Sequence, residues 1–178
     1  MNREALIQQA IDLGFAAADL IETGEIPFQP EFRICCEDNM CGMYGVNYAC
    51  PPDCGTTDEM REAVLAKKQA MVFQTIWEIP DLDDKQLIKK DKLTHNAMVR
   101  KWMEGLSEEM SGGFMIAASG CSVCPVCSIV DGKPCRFPEL KASCMSAYCI
   151  YVAKLCEKLG WEYDYGPGLV AFFGMYVF

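Results

Sequence analysis

Apolar and polar positions along the chain recur at two periods and divide it into four helix–strand pairs. In MNREALIQQAIDLG, Ile7, Ala10 and Ile11 share one face of a turn-of-3.6 pattern, so a helix is expected over 3–13, followed by a strand over 15–21. TTDEMREAVLAKK sets Thr56 three residues ahead of Glu59, the spacing of a capping box. Met60, Ala63 and Val64 follow at helical intervals, which predicts a helix over 57–68. AMVFQTIWEI alternates instead, with Met71, Phe73, Trp77 and Ile79 on one side, which reads as a half-buried strand over 70–79 ended by Pro80. Leu87, Thr94, Met98, Trp102 and Leu106 form a stripe that predicts a helix over 84–110, with a short strand over 113–118 behind it. SAYCIYVAKLCEKLG places Tyr148, Val152, Leu155 and Leu159 on one face, so a helix is expected over 144–159 with Gly160 as its stop. Gly166-Pro167-Gly168 is a turn, and the apolar run after it a last strand over 169–178.

Such alternation fits one α/β domain over 1–178 with a mixed or largely parallel sheet. An α+β arrangement is the alternative, because strand order is not readable from periodicity. The 178 residues are 51% apolar and 23% charged, enough for a single folded core.

Charge excludes one class of partner. The formal net charge is −9, and Lys67-Lys68 and Lys89-Lys90 are isolated pairs on helix surfaces rather than a basic footprint, so no nucleic-acid partner is expected. The longest apolar run, LVAFFGMYVF, is about half of what a membrane-spanning helix needs. The amphipathic N-terminal segment lacks the unbroken apolar core of a secretory signal. A cytoplasmic protein without a membrane association is therefore expected, and in that compartment the 12 cysteines are thiols, not disulfides.

Clustered, reduced cysteines point to metal. They fall in two groups, 35–54 and 121–156. CSVCPVCSIVDGKPC spaces Cys121, Cys124, Cys127 and Cys135 as C-x2-C-x2-C-x7-C. The first three are too close to belong to separate elements, so the loop must wrap around what they hold. Bacterial ferredoxin runs begin with the same spacing, whereas zinc sites draw on two separated pairs, which favours a [4Fe–4S] cluster over zinc. Asp131-Gly132 is a turn signal that returns Cys135 to the site. In the first group the most regular set is Cys36-x4-Cys41-x8-Cys50-x3-Cys54, read as a second [4Fe–4S] site. Cys35 competes with Cys54 for the fourth place, and a set of three that leaves one iron open is also compatible with the spacing.

The other candidates carry less. Cys149 and Cys156, seven apart on the expected helix, read as core thiols. Cys144 falls at that helix's start with no adjacent base, and the only histidine, His95, reads as a solvated surface residue in a charged helix. No hydrolytic triad, dinucleotide fingerprint or phosphate loop is present, and WEYDYGPGL reads as a turn packed by aromatic rings.

Both loops together resemble a known family. Arg33 followed by CGMYGVNYACPP, then CSVCPVC, CRFP at 135–138 and Ser143, are similar to the signature of the predicted metal-binding proteins, a cysteine-rich domain of unknown function common in anaerobic bacteria and archaea. The resemblance covers roughly residues 33–160. It departs where the family often shows R-P-S-M-E-A, since this chain has KASCMSA and no glutamate. The resemblance implies iron–sulfur or other metal binding in an anaerobe, and no established reaction. The resulting expectation is a protein with two [4Fe–4S] clusters that relays single electrons, its acidic exterior docking on the basic surface of a redox partner. A redox enzyme with an open-site cluster acting on a small molecule and a zinc-stabilised adaptor are the alternatives. The terminal apolar strand leaves pairing with a second copy of the chain open.

Overall fold

The computed structural model describes residues 2–178. Helix α1 (Arg3–Asp12) starts where Asn2 accepts the Ala5 N–H in its side chain, and leads to β1 (Ala17–Glu22). A short helix α2 (Arg33–Glu37) lies in the first cysteine loop. Thr56 and Glu59 form the reciprocal capping box that opens α3 (Thr57–Leu65), and β2 (Gln69–Glu78) follows. Helix α4 (Lys85–Met103) is capped by Asp84, which accepts the Leu87 N–H. Strand β3 (Phe114–Ile116), the second cysteine loop, α5 (Val152–Leu159) and β4 (Leu169–Val177) complete the order. Gly160 ends α5 in the left-handed conformation that favours glycine.

Among the described residues the four strands make one sheet, β1-β2-β4-β3, and every neighbouring pair is antiparallel. The helix–strand alternation is therefore present, but the mixed or largely parallel sheet is not. Parallel pairing follows when a helix returns the chain directly across the sheet. Here long cysteine loops lie between β1 and β2 and between β3 and β4, and they are long enough to deliver the next strand from either end.

Helices cover both faces of the sheet. On one, Leu6 and Ala10 of α1 and Val99 and Trp102 of α4 bury against Met71, Phe73 and Tyr176. Phe73 stands 5.0 Å from Trp102, and Trp102 5.9 Å from Tyr176, in edge-on ring contacts. On the other, Val64 of α3 and Leu155 and Cys156 of α5 bury against Val72, Met175 and Val177. β2 is thus buried on both sides from Ala70 to Thr75, not half-buried as its alternation suggests.

Two helices differ from their periodicity. The segment expected to be helical from 144 is irregular as far as Tyr151, because Ile150 bridges to Phe28 and Cys144 to Ala117, and α5 begins only at Val152. Helix α4 ends at Met103, and its buried face is Asp91, His95, Asn96, Val99 and Trp102. His95 is a core residue, 0% exposed, and not a solvated one. Its Nδ1 lies 2.8 Å from the Thr75 hydroxyl oxygen. A Cβ on Gly174 of β4 would sit 2.8 Å from its Nε2, so glycine there leaves the ring its space.

Burial depresses the His95 imidazole from 6.5 to about 3. The native state keeps it neutral while the unfolded chain takes up the proton near the ordinary value, so the unfolded state binds more protons in between. Stability is expected to fall as pH drops from about 6.5 toward 3, by at most about 1.4 kcal/mol per pH unit from this group. Denaturation midpoints across that range, with an NMR titration of the single imidazole, check it; protonation of the native ring near pH 6 contradicts it.

Candidate metal centre

The two cysteine loops meet beyond the end of β3, and the chain segment that leaves this strand holds them there. Ala117 donates its N–H to Ser143 O at 2.9 Å and accepts from Met145 N at 3.1 Å, which draws the segment around Cys144 alongside. Asn96 of α4 accepts the Ala118 N–H at 2.9 Å and donates to the Ser119 hydroxyl at 3.2 Å. Gly120 presses against the first loop, where a Cβ would come within 3.1 Å of Cys50 Sγ. Cys121 O then accepts the Asn47 side-chain N–H at 2.8 Å.

Asn47 joins the loops. It is 3% exposed, and its Oδ1 accepts the Ala49 N–H at 2.9 Å while its Nδ2 reaches Cys121. A second tie runs from the Tyr48 hydroxyl to Lys133 O at 2.9 Å. Within the first loop, Asn39 and Gly42 adopt left-handed backbone and turn the chain so that Asn39 Oδ1 accepts the Tyr44 N–H.

The four cysteines of the second group, Cys121, Cys124, Cys127 and Cys135, line a common small cavity of about 20 Å³ with Asn47 and Tyr48 at its edge. A 3-10 turn over Ser128–Asp131 and a left-handed Gly132 reverse the chain, and the Ser128 hydroxyl bonds Pro134 O at 2.7 Å, which brings Cys135 back to the other three.

The first group assembles differently. Cys35, Cys36, Cys41 and Cys50 line a larger cavity of about 440 Å³, Cys35 and Cys41 at exposed positions. Cys54 lines neither cavity. Its thiol faces Arg33 Nη1 at 3.6 Å and Met60 Sδ at 3.5 Å, and Arg33 also donates to Ala147 O at 3.0 Å. A thiol that sequence reasoning set aside, Cys144, lines the first cavity instead. The available signal was a surplus of cysteines without regular spacing; the fold that brings Cys144 there is not local. Cys149 and Cys156 are buried in the protein. Lys85, Lys89 and Lys92, on one face of α4, form the cavity's cationic side.

Burial raises three thiols of the first cavity, Cys36, Cys50 and Cys144. It pushes Cys50 up to about 12 and Cys36 up to about 11, and for both the charge of Cys144 adds to the effect. Cys144 is raised too, by burial first, while the N–H groups of Ala147, Ser146 and its own residue favour the thiolate.

The donors are all soft. Neither lining contains a carboxylate or an imidazole, so the arrangement suits thiophilic metals and not magnesium or calcium. Among the described residues, no three His, Cys, Asp or Glu side chains stand close enough to share a single ion.

An antiparallel sheet covered on both faces, with two thiol-lined cavities beyond one strand, defines a cysteine-rich metal-binding domain. The chain belongs to the family of predicted metal-binding proteins DUF2284, whose model matches residues 19–178. No curated protein and no solved structure matches it.

Because Cys50 is buried and held protonated, brief alkylation of the metal-free protein near neutral pH is expected to modify the exposed Cys35 and Cys41 well before Cys50. Peptide mass spectrometry reads the order; early labelling of Cys50 contradicts the geometry.

Proposed function

We infer that the protein carries an iron–sulfur cluster in each cavity and relays single electrons between partners. The gathering of several cysteines at each of two cavities, with no carboxylate or imidazole in either lining, carries this reading. Spacing supports it for the second loop, whose three closely set cysteines and returning Cys135 wrap one compact core. A single tetrahedral zinc draws its thiolates to about 3.8 Å from one another, from Zn–S bonds near 2.3 Å. A cubane cluster places iron and sulfide between them and holds them further apart, in keeping with thiols distributed around a cavity of about 440 Å³.

A [4Fe–4S] cluster, when bound, supplies a one-electron couple whose potential follows burial and hydrogen bonding. The chain's own residues provide the rest. Cys121, Cys124, Cys127 and Cys135 are the ligands of the second centre; Cys36, Cys41 and Cys50 are ligands of the first. Asn47 fixes the two loops against each other, so the separation between centres does not fluctuate with loop motion. The net charge of −9 supports docking on a redox partner with a basic surface.

Anaerobic purification followed by iron and sulfide analysis tests the reading. About eight of each per chain are expected, with visible absorption that bleaches on reduction by dithionite. Cys124→Ala and Cys135→Ala should each remove about half of the iron. A colourless protein loaded with zinc sinks the electron-transfer reading.

A further inference from the structure

Five thiols line the first cavity, Cys35, Cys36, Cys41 and Cys50 from the first loop and Cys144 from a distant segment, one more than the four ligands a cluster takes. Cys35 and Cys54 are the local choices by spacing, yet Cys54 lines neither cavity and is engaged by Arg33 and Met60. Cys35 follows the chain into α2 beside Cys36 and is exposed. Cys144 comes from the far side of the cavity, on a segment with a fixed position: its residue bridges to Ala117, and Ser143 and Met145 on either side bond that same residue.

We propose that Cys144 is the fourth ligand of the first centre, so that this centre is held by Cys36, Cys41, Cys50 and Cys144. The inference rests on the two-cluster reading above. Two further features agree with it. Cys144 lines the same cavity as Cys36, Cys41 and Cys50. Ser146 and Ala147, which follow Cys144, and Ala118, Ser119 and Gly120, which follow the residue it bridges to, line that cavity as well, so the paired segments form one wall of it.

Two consequences follow. With four sulfur ligands no iron is left for a substrate, so the first centre exchanges electrons without binding a small molecule at the metal. The ligand set also ties the first loop to the segment between β3 and α5, and metal binding there closes the cavity from both sides.

Wild type and two variants separate the inference from the reading beneath it. Wild type without iron defeats the two-cluster reading itself. In an iron-loaded wild-type background, Cys144→Ser is expected either to lose about half the iron or to convert the first centre to a three-iron cluster with its own electron paramagnetic resonance signal, while the second centre's signal persists. The double variant Cys35→Ser/Cys54→Ser is expected to keep full iron and an unchanged spectrum. That second variant decides the matter if Cys144→Ser folds poorly, since it removes the local rivals and leaves Cys144 in place. Loss of the first centre in the double variant, or full iron with an unaltered spectrum in Cys144→Ser, overturns the proposal.

Discussion

The short run from Ala117 to Cys121 is the constraint on which both thiol-lined cavities depend. It leaves β3 with its backbone already committed: Ala117 to the Cys144 segment, Ala118 to Asn96 of α4, and Cys121 O to Asn47 of the first loop. Each partner comes from a different part of the chain. Buried amides that lack a partner cost about 1–3 kcal/mol apiece, so Asn47 and Asn96 discriminate strongly for the one arrangement that satisfies them. Gly120 adds a steric condition, because a side chain there would crowd Cys50, its Cβ 3.1 Å from the sulfur. The sheet supplies the fixed edge, and this run transmits its position to the sulfurs.

Crowding thiols in a half-buried cavity has its own energetic logic. Desolvation holds Cys36 and Cys50 in the neutral form, and each neighbouring thiolate would make the next ionisation harder. The metal-free state therefore stores protons rather than negative charge. Loading a cation reverses the balance, since thiolate ligation releases those protons and replaces repulsion between sulfurs with attraction to metal. Folding and metal occupancy are coupled in such a site even though the hydrophobic layers above and below the sheet are complete without it.

Much of this architecture was legible from local signals. The capping box at Thr56 and the positions of all four strands follow from short-range chemistry, and so does the gathering of the second loop's four thiols, which lie within fifteen residues of sequence. What was not legible depends on distant partners. Asp91, His95 and Asn96 look like a solvated helix face because they are polar, yet Asn96 is met by Ala118 and His95 Nδ1 by the Thr75 hydroxyl, from other elements. The periodicity of residues 144–151 is real but yields to strand-like bridges with Ala117 and Phe28. The same tertiary override carries Cys144 to the first cavity, while Cys54, correctly spaced in sequence, turns toward Arg33.

Lys85, Lys89 and Lys92 give this acidic molecule a face of the opposite sign beside its first cavity. At physiological ionic strength the screening length is about 8 Å, so beyond that range an approaching body senses little of the total charge and within it senses the nearest residues. Three ammonium groups on one helix therefore set the local charge beside the cavity, while the acidity of the rest of the molecule is felt away from it.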